Sequence, residues 1–181
     1  MTDADQLTTL ALAAGRGDRG ALDQFIRTAQ RDVWRTVAFL ADPASADDLT
    51  QETFIRAIGA LPRFAGRSSA RTWLLAIARR VVVDQIRRNQ ARPRTTGAVD
   101  LESVLQSPIS TARFEEIVEV RLLLDGLDSD RRDALVLTQV LGLSYAEAAE
   151  VVGCPTGTIR SRVARARDDL IKAVSRTESA G

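Results

Sequence analysis

The sequence contains no histidine and a single cysteine, Cys154. The lack of histidine excludes His-ligated metal centres and catalysis by Ser-His-Asp or Cys-His arrangements. One cysteine cannot form an intramolecular disulfide framework or a cysteine-based zinc site. We therefore expect no metal or other cofactor, and we expect Cys154 to pack within a turn rather than to sense redox state.

The sequence also lacks a long hydrophobic run. Its longest uncharged and mostly apolar stretch, residues 134–146, includes Thr138 and Gln139 and is too short and too polar to span a bilayer. The N-terminus carries Asp3 and Asp5 where a secretory signal peptide would be basic. These absences predict a cytoplasmic protein without a membrane partner.

Aromatic residues make up only 4% of the chain, so the core must consist mainly of aliphatic side chains, which an apolar content of 45% can supply. Apolar residues recur at steps of three and four, as in amphipathic helices, and no segment alternates as a strand would. We predict an all-α protein of two small helical domains, residues 1–90 and 112–176. An irregular linker, residues 91–111, joins them, and a tail follows at residues 177–181.

Helical periodicity also predicts which faces of the individual helices are buried. In the helix expected from Ala44 to Leu61, the residues predicted to face the core are Leu49, Phe54, Ile55 and Ile58. In the long helix expected from Ala70 to Asn89, the predicted buried stripe consists of Trp73, Leu74, Ile77, Val81 and Ile86.

The chain has no large excess of one charge, with 25 basic and 24 acidic side chains, but these charges are sorted into blocks. Residues 63–94 contain nine arginines and one acid, Asp84, and residues 156–181 contain six basic and three acidic side chains. Two basic blocks between acidic ones indicate two surfaces for a polyanion such as nucleic acid. Solvated helix faces with local ion pairs are the alternative.

The second basic block lies in a pattern typical of a helix-turn-helix. Ser144 and Glu147 form a capping box before a short helix, Gly153 ends that helix, and Pro155 opens the next one. The second helix has one narrow apolar stripe, with arginines and small polar residues on its other faces, as a helix in the major groove requires. The predicted DNA-contacting residues are Thr158, Arg160, Ser161, Arg162, Ala164, Arg165 and Arg167. An arginine-rich surface helix is the alternative.

In the first basic block, arginines and aromatic residues surround a loop at residues 62–69 and the helix after it. Cations that follow a backbone and rings that hold unstacked bases suit single-stranded nucleic acid. The predicted contact residues are Arg63, Phe64, Arg67, Ser68, Arg71, Trp73, Arg79, Arg80 and Arg87. For Trp73, packing in the core is the alternative, and Asp84 is expected to pair with Arg87 and Arg88.

One helix face is acidic and polar, formed by Asp47, Asp48, Gln51 and Glu52. Such a face would be repelled by phosphate. A protein partner with a basic surface would account for it, and so would a face that simply lies in solvent.

These motifs, taken together, resemble those of the extracytoplasmic-function sigma factors, the smallest bacterial sigma factors, which have only regions two and four. The matching segments, in chain order, are Asp47–Phe54, Arg63-Phe64, Thr72–Leu74, Ile77–Arg79, Asp84, Arg87-Arg88, Leu143–Tyr145, Gly157–Arg162 and Arg165–Arg167. The resemblance covers nearly the whole chain and implies a factor that lends promoter specificity to RNA polymerase and is not an enzyme.

The resemblance also implies partners for each surface. Region two would bind the clamp helices of the polymerase β′ subunit through the acidic face, and its loop would capture a flipped base of the −10 element. The recognition helix would read the −35 element, and region four would contact the β flap. An anti-sigma factor, or masking of one domain by the other, would restrain activity, and no small-molecule substrate is implied.

Two other functions fit parts of the pattern. A stand-alone helix-turn-helix regulator would bind duplex DNA tightly without polymerase. A DNA-processing enzyme such as a recombinase would need a nucleophile or carboxylate cluster in the basic domain, where Asp84 is the only acid and no tyrosine occurs.

Overall fold

The computed structural model of the 181-residue chain describes residues 3–91 and 120–178. Both segments consist of helices joined by short turns, and neither contains a strand, which confirms the predicted all-α class. The chain forms two compact units, Met1–Ser107 and Pro108–Gly181. Most of the predicted linker lies outside the described residues, so its boundaries stay a prediction. Within the described segments, no helix combines the length and hydropathy that a membrane span needs.

The first unit contains four helices: α1 (Asp3–Gly15), α2 (Arg19–Leu40), α3 (Ala46–Ala60) and α4 (Ala70–Ala91). Helix α2 packs against the other three and supplies much of the core. Its buried residues include three aromatic rings, Phe25, Trp34 and Phe39, whereas the buried residues of α4 are aliphatic apart from Thr72. The largest fully buried side chains of these two helices are Phe25, Val33, Val37, Leu74, Leu75 and Val81.

Helix α3 buries a different face from the one that its isoleucines suggested. Leu49 and Phe54 are buried as predicted, but Ile55 and Ile58 are 66% and 40% exposed, so the prediction for these two was wrong. The inward positions are taken instead by small residues and threonines, and the hydroxyl of Thr53 donates to the carbonyl of Leu49 at 2.7 Å. Because a threonine that satisfies its own hydroxyl can be buried, Ile55 is left on the opposite side of the helix.

The second unit contains α5 (Ser129–Leu135), α6 (Tyr145–Val152) and α7 (Thr156–Glu178), and residues 120–124 are also helical. A π-helical turn, Val136–Val140, continues α5. The predicted capping box of Ser144 and Glu147 is present on α6, and Gly153 ends that helix.

Helix α7 packs on the rest of this unit through the predicted apolar stripe. Ile159, Val163 and Ala166 are buried, and Leu170, the fourth residue of that stripe, is half-buried. Since one face of α7 packs on the core, the other faces carry the polar residues, and Arg160, Ser161 and Arg165 among them are exposed.

Candidate functional site

The recognition helix α7 exposes most of its predicted DNA-contacting side chains. Arg160, Ser161, Ala164 and Arg165 are exposed, and Thr158 is half-buried at the start of the helix. The hydroxyl of Ser161 donates to the carbonyl of Thr158 at 3.0 Å. The first turns of α7 therefore present short side chains between two arginines, which suits contact with base edges and phosphates.

The arginines of α7 differ in what holds them. Arg160 and Arg165 have no ion pair or hydrogen-bond partner in the described part of the chain. The guanidinium of Arg167 donates to Oε1 of Gln139 at 2.8 Å, and that of Arg162 forms an ion pair with Asp130. The sequence of α7 alone does not show which arginines are bonded and which are not. The partners of Arg162 and Arg167 lie outside α7, on α5 and in the π-helical turn.

Cys154 lies half-buried in the turn before α7, as expected for a packed turn residue. Its Sγ is 3.9 Å from Nη1 of Arg162. Neither a metal-binding cluster nor a second cysteine accompanies it among the described residues.

In the first unit, the loop between α3 and α4 places cations beside an aromatic pair. The rings of Phe64 and Trp73 have centroids 4.8 Å apart and are tilted by 42°, and both side chains are half-buried. Arg63 and Arg67, on the same loop, are exposed. Trp73 is thus neither fully in the core nor fully in solvent, and its ring packs against that of Phe64 at the start of α4.

Two side chains at the start of α4, those of Arg71 and Ser69, stabilise the fold. Nε of Arg71 forms an ion pair with Asp32 of α2 at 2.6 Å. The hydroxyl of Ser69 accepts from the backbone N–H of Thr72 at 3.1 Å, so it caps the first turn of α4. Ser68 is half-buried beside it.

Further along α4, cations follow one exposed face. Trp73, Arg80 and Arg87 are seven residues apart, so they lie on one side of the helix at intervals of about 10.5 Å. Arg80 and Arg87 are exposed, whereas Arg79 is half-buried on another side. The face therefore runs from the aromatic pair to two cations.

The single acid of the basic block, Asp84, pairs with a different arginine from the predicted ones. Its carboxylate accepts from Nη1 of Arg56, on α3, at 2.6 Å, and Nε of Arg56 also donates to Glu52 at 2.7 Å. The hydrogen bond from Arg56 lowers the pKa of Asp84, and the charges of Arg88 and Arg87 lower it further. The latter two therefore act on Asp84 through space and keep their side chains exposed.

The acidic face of α3 consists of two exposed and two engaged residues. Asp48 and Gln51 are exposed, and Glu52 is bonded to Arg56. Asp47 is half-buried, and its carboxylate accepts from the indole N–H of Trp34 at 2.7 Å. Asp47 thus fixes the start of α3 against α2.

Sequence reasoning missed the apolar half of this face. Ile55 and Ile58 lie on the same side of α3 as Asp48 and Gln51, about one and two turns beyond Gln51. The exposure of these two isoleucines could have been predicted from the four-residue spacing of Leu49, Thr53 and Ala57, on the assumption that a threonine can lie on the buried face. We call the surface of Asp48, Gln51, Glu52, Ile55 and Ile58 the α3 face.

Comparison with known families gives two matches along the chain. Residues 25–92 match sigma-70 region 2, and residues 117–170 match sigma-70 region 4. The two matches fall in the two units described above.

Comparison with known proteins agrees with these matches. The chain is 59% identical to the probable RNA polymerase sigma-C factor of Mycobacterium bovis over 170 residues, which cover 94% of this chain and 92% of that protein. It is 33% identical to the RNA polymerase sigma-H factor of Pseudomonas aeruginosa over 186 residues, with 96% of each chain covered.

Two solved structures have a similar fold. One is CnrH in complex with the cytosolic domain of CnrY, with a TM-score of 0.73, 27% identity, and coverage of 96% of this chain and 98% of CnrH. The other is the sigma factor RpoE of Bartonella quintana in complex with the anti-sigma factor NepR, with a TM-score of 0.65, 25% identity, and coverage of 84% and 96%.

Proposed function

Since the chain belongs to the extracytoplasmic-function group of RNA polymerase sigma factors, we propose that its two helical units divide the work of that family between them. As a sigma factor, it binds core RNA polymerase and directs transcription initiation at promoters. In the proposed division, residues 1–90 bind polymerase and open the −10 element, residues 112–176 read the −35 element, and residues 91–111 connect them. The protein acts in the cytoplasm and contributes no catalytic residue.

The proposed polymerase-binding surface is the α3 face, together with Asp47, and its proposed partner is the clamp helices of the β′ subunit. Acidic and amide groups at one end of the face suit a basic partner, because complementary charges raise the association rate and orient the two proteins as they meet. The exposed Ile55 and Ile58 at the other end supply the apolar area that a stable interface buries. A solvated face would not need two exposed isoleucines beside its acids.

The proposed −10 contacts are on the loop and the exposed face of α4. Arg63 and Arg67 hold the backbone of the unpaired strand, and the Phe64–Trp73 pair offers a ring surface for an extruded base. Extrusion costs a few kcal/mol per base, which binding of the base in a protein pocket offsets. The remaining proposed contacts are Ser68, Arg71, Arg79, Arg80 and Arg87; of these, Arg71 also anchors α4 to α2.

The proposed −35 contacts are on the exposed faces of α7. Arg160 and Arg165 carry unpaired guanidinium groups among the described residues, so they can bond phosphates or guanine edges. Ser161 and Ala164 lie between them and are small enough to let the helix enter the groove. Arg167 and Thr158 are further proposed contacts, whereas Arg162, predicted with them, is bonded to Asp130 and is treated separately below. The β flap is the proposed polymerase partner of this unit.

An anti-sigma factor is the proposed regulator of the chain. The support is that RpoE, a structural neighbour, was solved in complex with the anti-sigma factor NepR. A stand-alone helix-turn-helix regulator is not favoured, because residues 25–92 of the first unit match sigma-70 region 2, a domain that such a regulator would not need.

The observation that carries the proposal is the pair of exposed cationic surfaces, one in each matched sigma region. Run-off transcription of a genomic library with purified core polymerase tests it first, by recovering the promoters that the chain directs. We then expect Arg63→Ala/Arg67→Ala to keep core binding and to lose the open complex, measured by permanganate reactivity of unpaired thymines.

The matched control is Arg27→Ala/Arg31→Ala, which removes the same charge from exposed positions of α2. It should leave the open complex intact. Normal opening by Arg63→Ala/Arg67→Ala would show that the loop does not hold the unpaired strand.

A further inference from the structure

We infer that Arg162 is a positioning residue: it holds the recognition helix at its angle through Asp130 and does not itself contact DNA. The inference rests on the proposed role of α7 in reading the −35 element. It divides the predicted DNA-contacting arginines of that helix into three that meet DNA, Arg160, Arg165 and Arg167, and one, Arg162, that sets their orientation.

The first support is the number of elements that one guanidinium connects. Nη2 of Arg162 donates to the carboxylate of Asp130, in the first turn of α5, and Nη1 faces Sγ of Cys154 in the turn before α7. Arg162 thus contacts the supporting helix and the turn while belonging to the recognition helix. Its side chain is only 23% exposed, whereas the neighbouring Arg160 and Arg165 are exposed.

The second support is a reciprocal ion pair between the same two helices. Nη1 of Arg131, adjacent to Asp130 on α5, bonds Asp169 at 2.5 Å, and Asp169 follows Arg162 by two turns of α7. The charges are reversed in this second pair. Two ion pairs of opposite polarity, about 10.5 Å apart along α7, oppose both sliding and rotation of that helix on α5.

The third support is electrostatic. An arginine that contacted phosphate would bring the carboxylate of Asp130 toward the same phosphate, because the two groups are bonded. The repulsion would cancel much of the gain, so a phosphate contact at this position would be expected to lack an acidic partner. Arg160 and Arg165 meet that condition and Arg162 does not.

The test measures how the affinity of the holoenzyme for DNA depends on salt. The probe is a fluorescein-labelled duplex that carries the upstream element of a promoter recovered by run-off transcription. Between about 50 and 200 mM salt, the slope of log K against log salt is negative, and loss of one phosphate contact reduces its magnitude by about 0.9. We expect Arg165→Ala to reduce the magnitude by this amount, and Arg162→Ala to weaken binding roughly fivefold with an unchanged slope.

Asp130 gives a test of opposite sign. If this carboxylate were only an acid near DNA, Asp130→Ala would tighten binding, as we expect for Asp168→Ala, an exposed acid on α7. A positioning role predicts that Asp130→Ala weakens binding as much as Arg162→Ala does, and that the double variant is no worse than either. The charge-reversed pair, Asp130→Arg with Arg162→Asp, should restore affinity toward wild type.

Circular dichroism of each variant separates misfolding from misplacement, and Asp130→Asn with Arg162→Lys gives milder variants if the alanine forms unfold. A salt slope of reduced magnitude for Arg162→Ala, or tighter binding by Asp130→Ala, would overturn the inference while leaving promoter recognition by the wild type intact. If the wild-type holoenzyme recovers no promoter at all, it is the proposed function that fails.

Discussion

The two exposed isoleucines of the α3 face give a test of how this protein binds polymerase. We predict that Ile55→Gln/Ile58→Gln weakens binding to core polymerase and leaves the fold unchanged. Glutamine is at least as good a helix former as isoleucine. The fold already covers about a third of Ile55 and about three fifths of Ile58, so the free energy of unfolding should fall by about 1–2 kcal/mol, which a stable domain tolerates.

The size of the effect follows from the exposed fractions. Burial of a whole isoleucine side chain is worth about 1.5–3 kcal/mol. Because Ile55 is 66% exposed and Ile58 is 40% exposed, an interface that covers both gains about 2.5 kcal/mol from them. Loss of that amount raises the dissociation constant on the order of 50-fold.

The assay is fluorescence anisotropy of the N-terminally labelled full chain, titrated with core polymerase in the absence of DNA. The matched control is Ile86→Gln, since Ile86 on α4 is 38% exposed but lies off the α3 face. We expect the control to bind like the wild type. Unchanged affinity of Ile55→Gln/Ile58→Gln would refute the assignment of these residues to the polymerase interface.

Three further predictions concern the stability of the first unit, each measured by urea unfolding. A Cβ on Gly15 would lie 2.5 Å from the backbone oxygen of Leu61, so Gly15→Ala should lower the free energy of unfolding by about 1–3 kcal/mol. A Cβ on Gly59, within α3, would meet nothing, so Gly59→Ala should raise the free energy of unfolding by about 0.5–1 kcal/mol. Asp47→Ala leaves the buried indole N–H of Trp34 without its partner and should lower the free energy of unfolding by about 1–3 kcal/mol. The control is Asp48→Ala, at an exposed position, which should change stability little; equal losses in the two variants would contradict the structural role of this bond. Because its ion pair lowers the pKa of Asp84 below the ordinary value of 3.8, that pair stabilises the fold above this pH and is lost as the pH falls through the lowered pKa. Wild type should therefore exceed Asp84→Asn in stability at neutral pH, and a difference that persists in strong acid would contradict this linkage.

Local features of the fold could be predicted from the sequence. The capping box of Ser144 and Glu147 and the left-handed Gly153 depend on residues at most three positions apart and on backbone freedom at one position. The stripe of α7 was equally predictable, since Ile159, Val163 and Ala166 have no polar competitor for the inward face. Caps and buried stripes within one helix can therefore be predicted from the spacing of residues along the sequence.

Contacts between helices could not be predicted in the same way. Asp84 was expected to pair with arginines one turn away, but its partner Arg56 lies on another helix, 28 residues earlier in the chain. The partner of Arg162 is likewise 32 residues away. Such pairs depend on how helices pack, and that packing also decided that Thr53 is inside α3 while Ile55 is outside.

The most direct test of the account is reconstitution of transcription from purified parts. Bacterial core RNA polymerase is incubated with the full chain, the complex is isolated by gel filtration, and run-off transcription is measured on genomic fragments. We predict that the chain coelutes with the polymerase and that discrete transcripts start from promoters that core polymerase alone does not use. A chain that fails to coelute, or a complex that starts no new transcripts, would contradict the central claim.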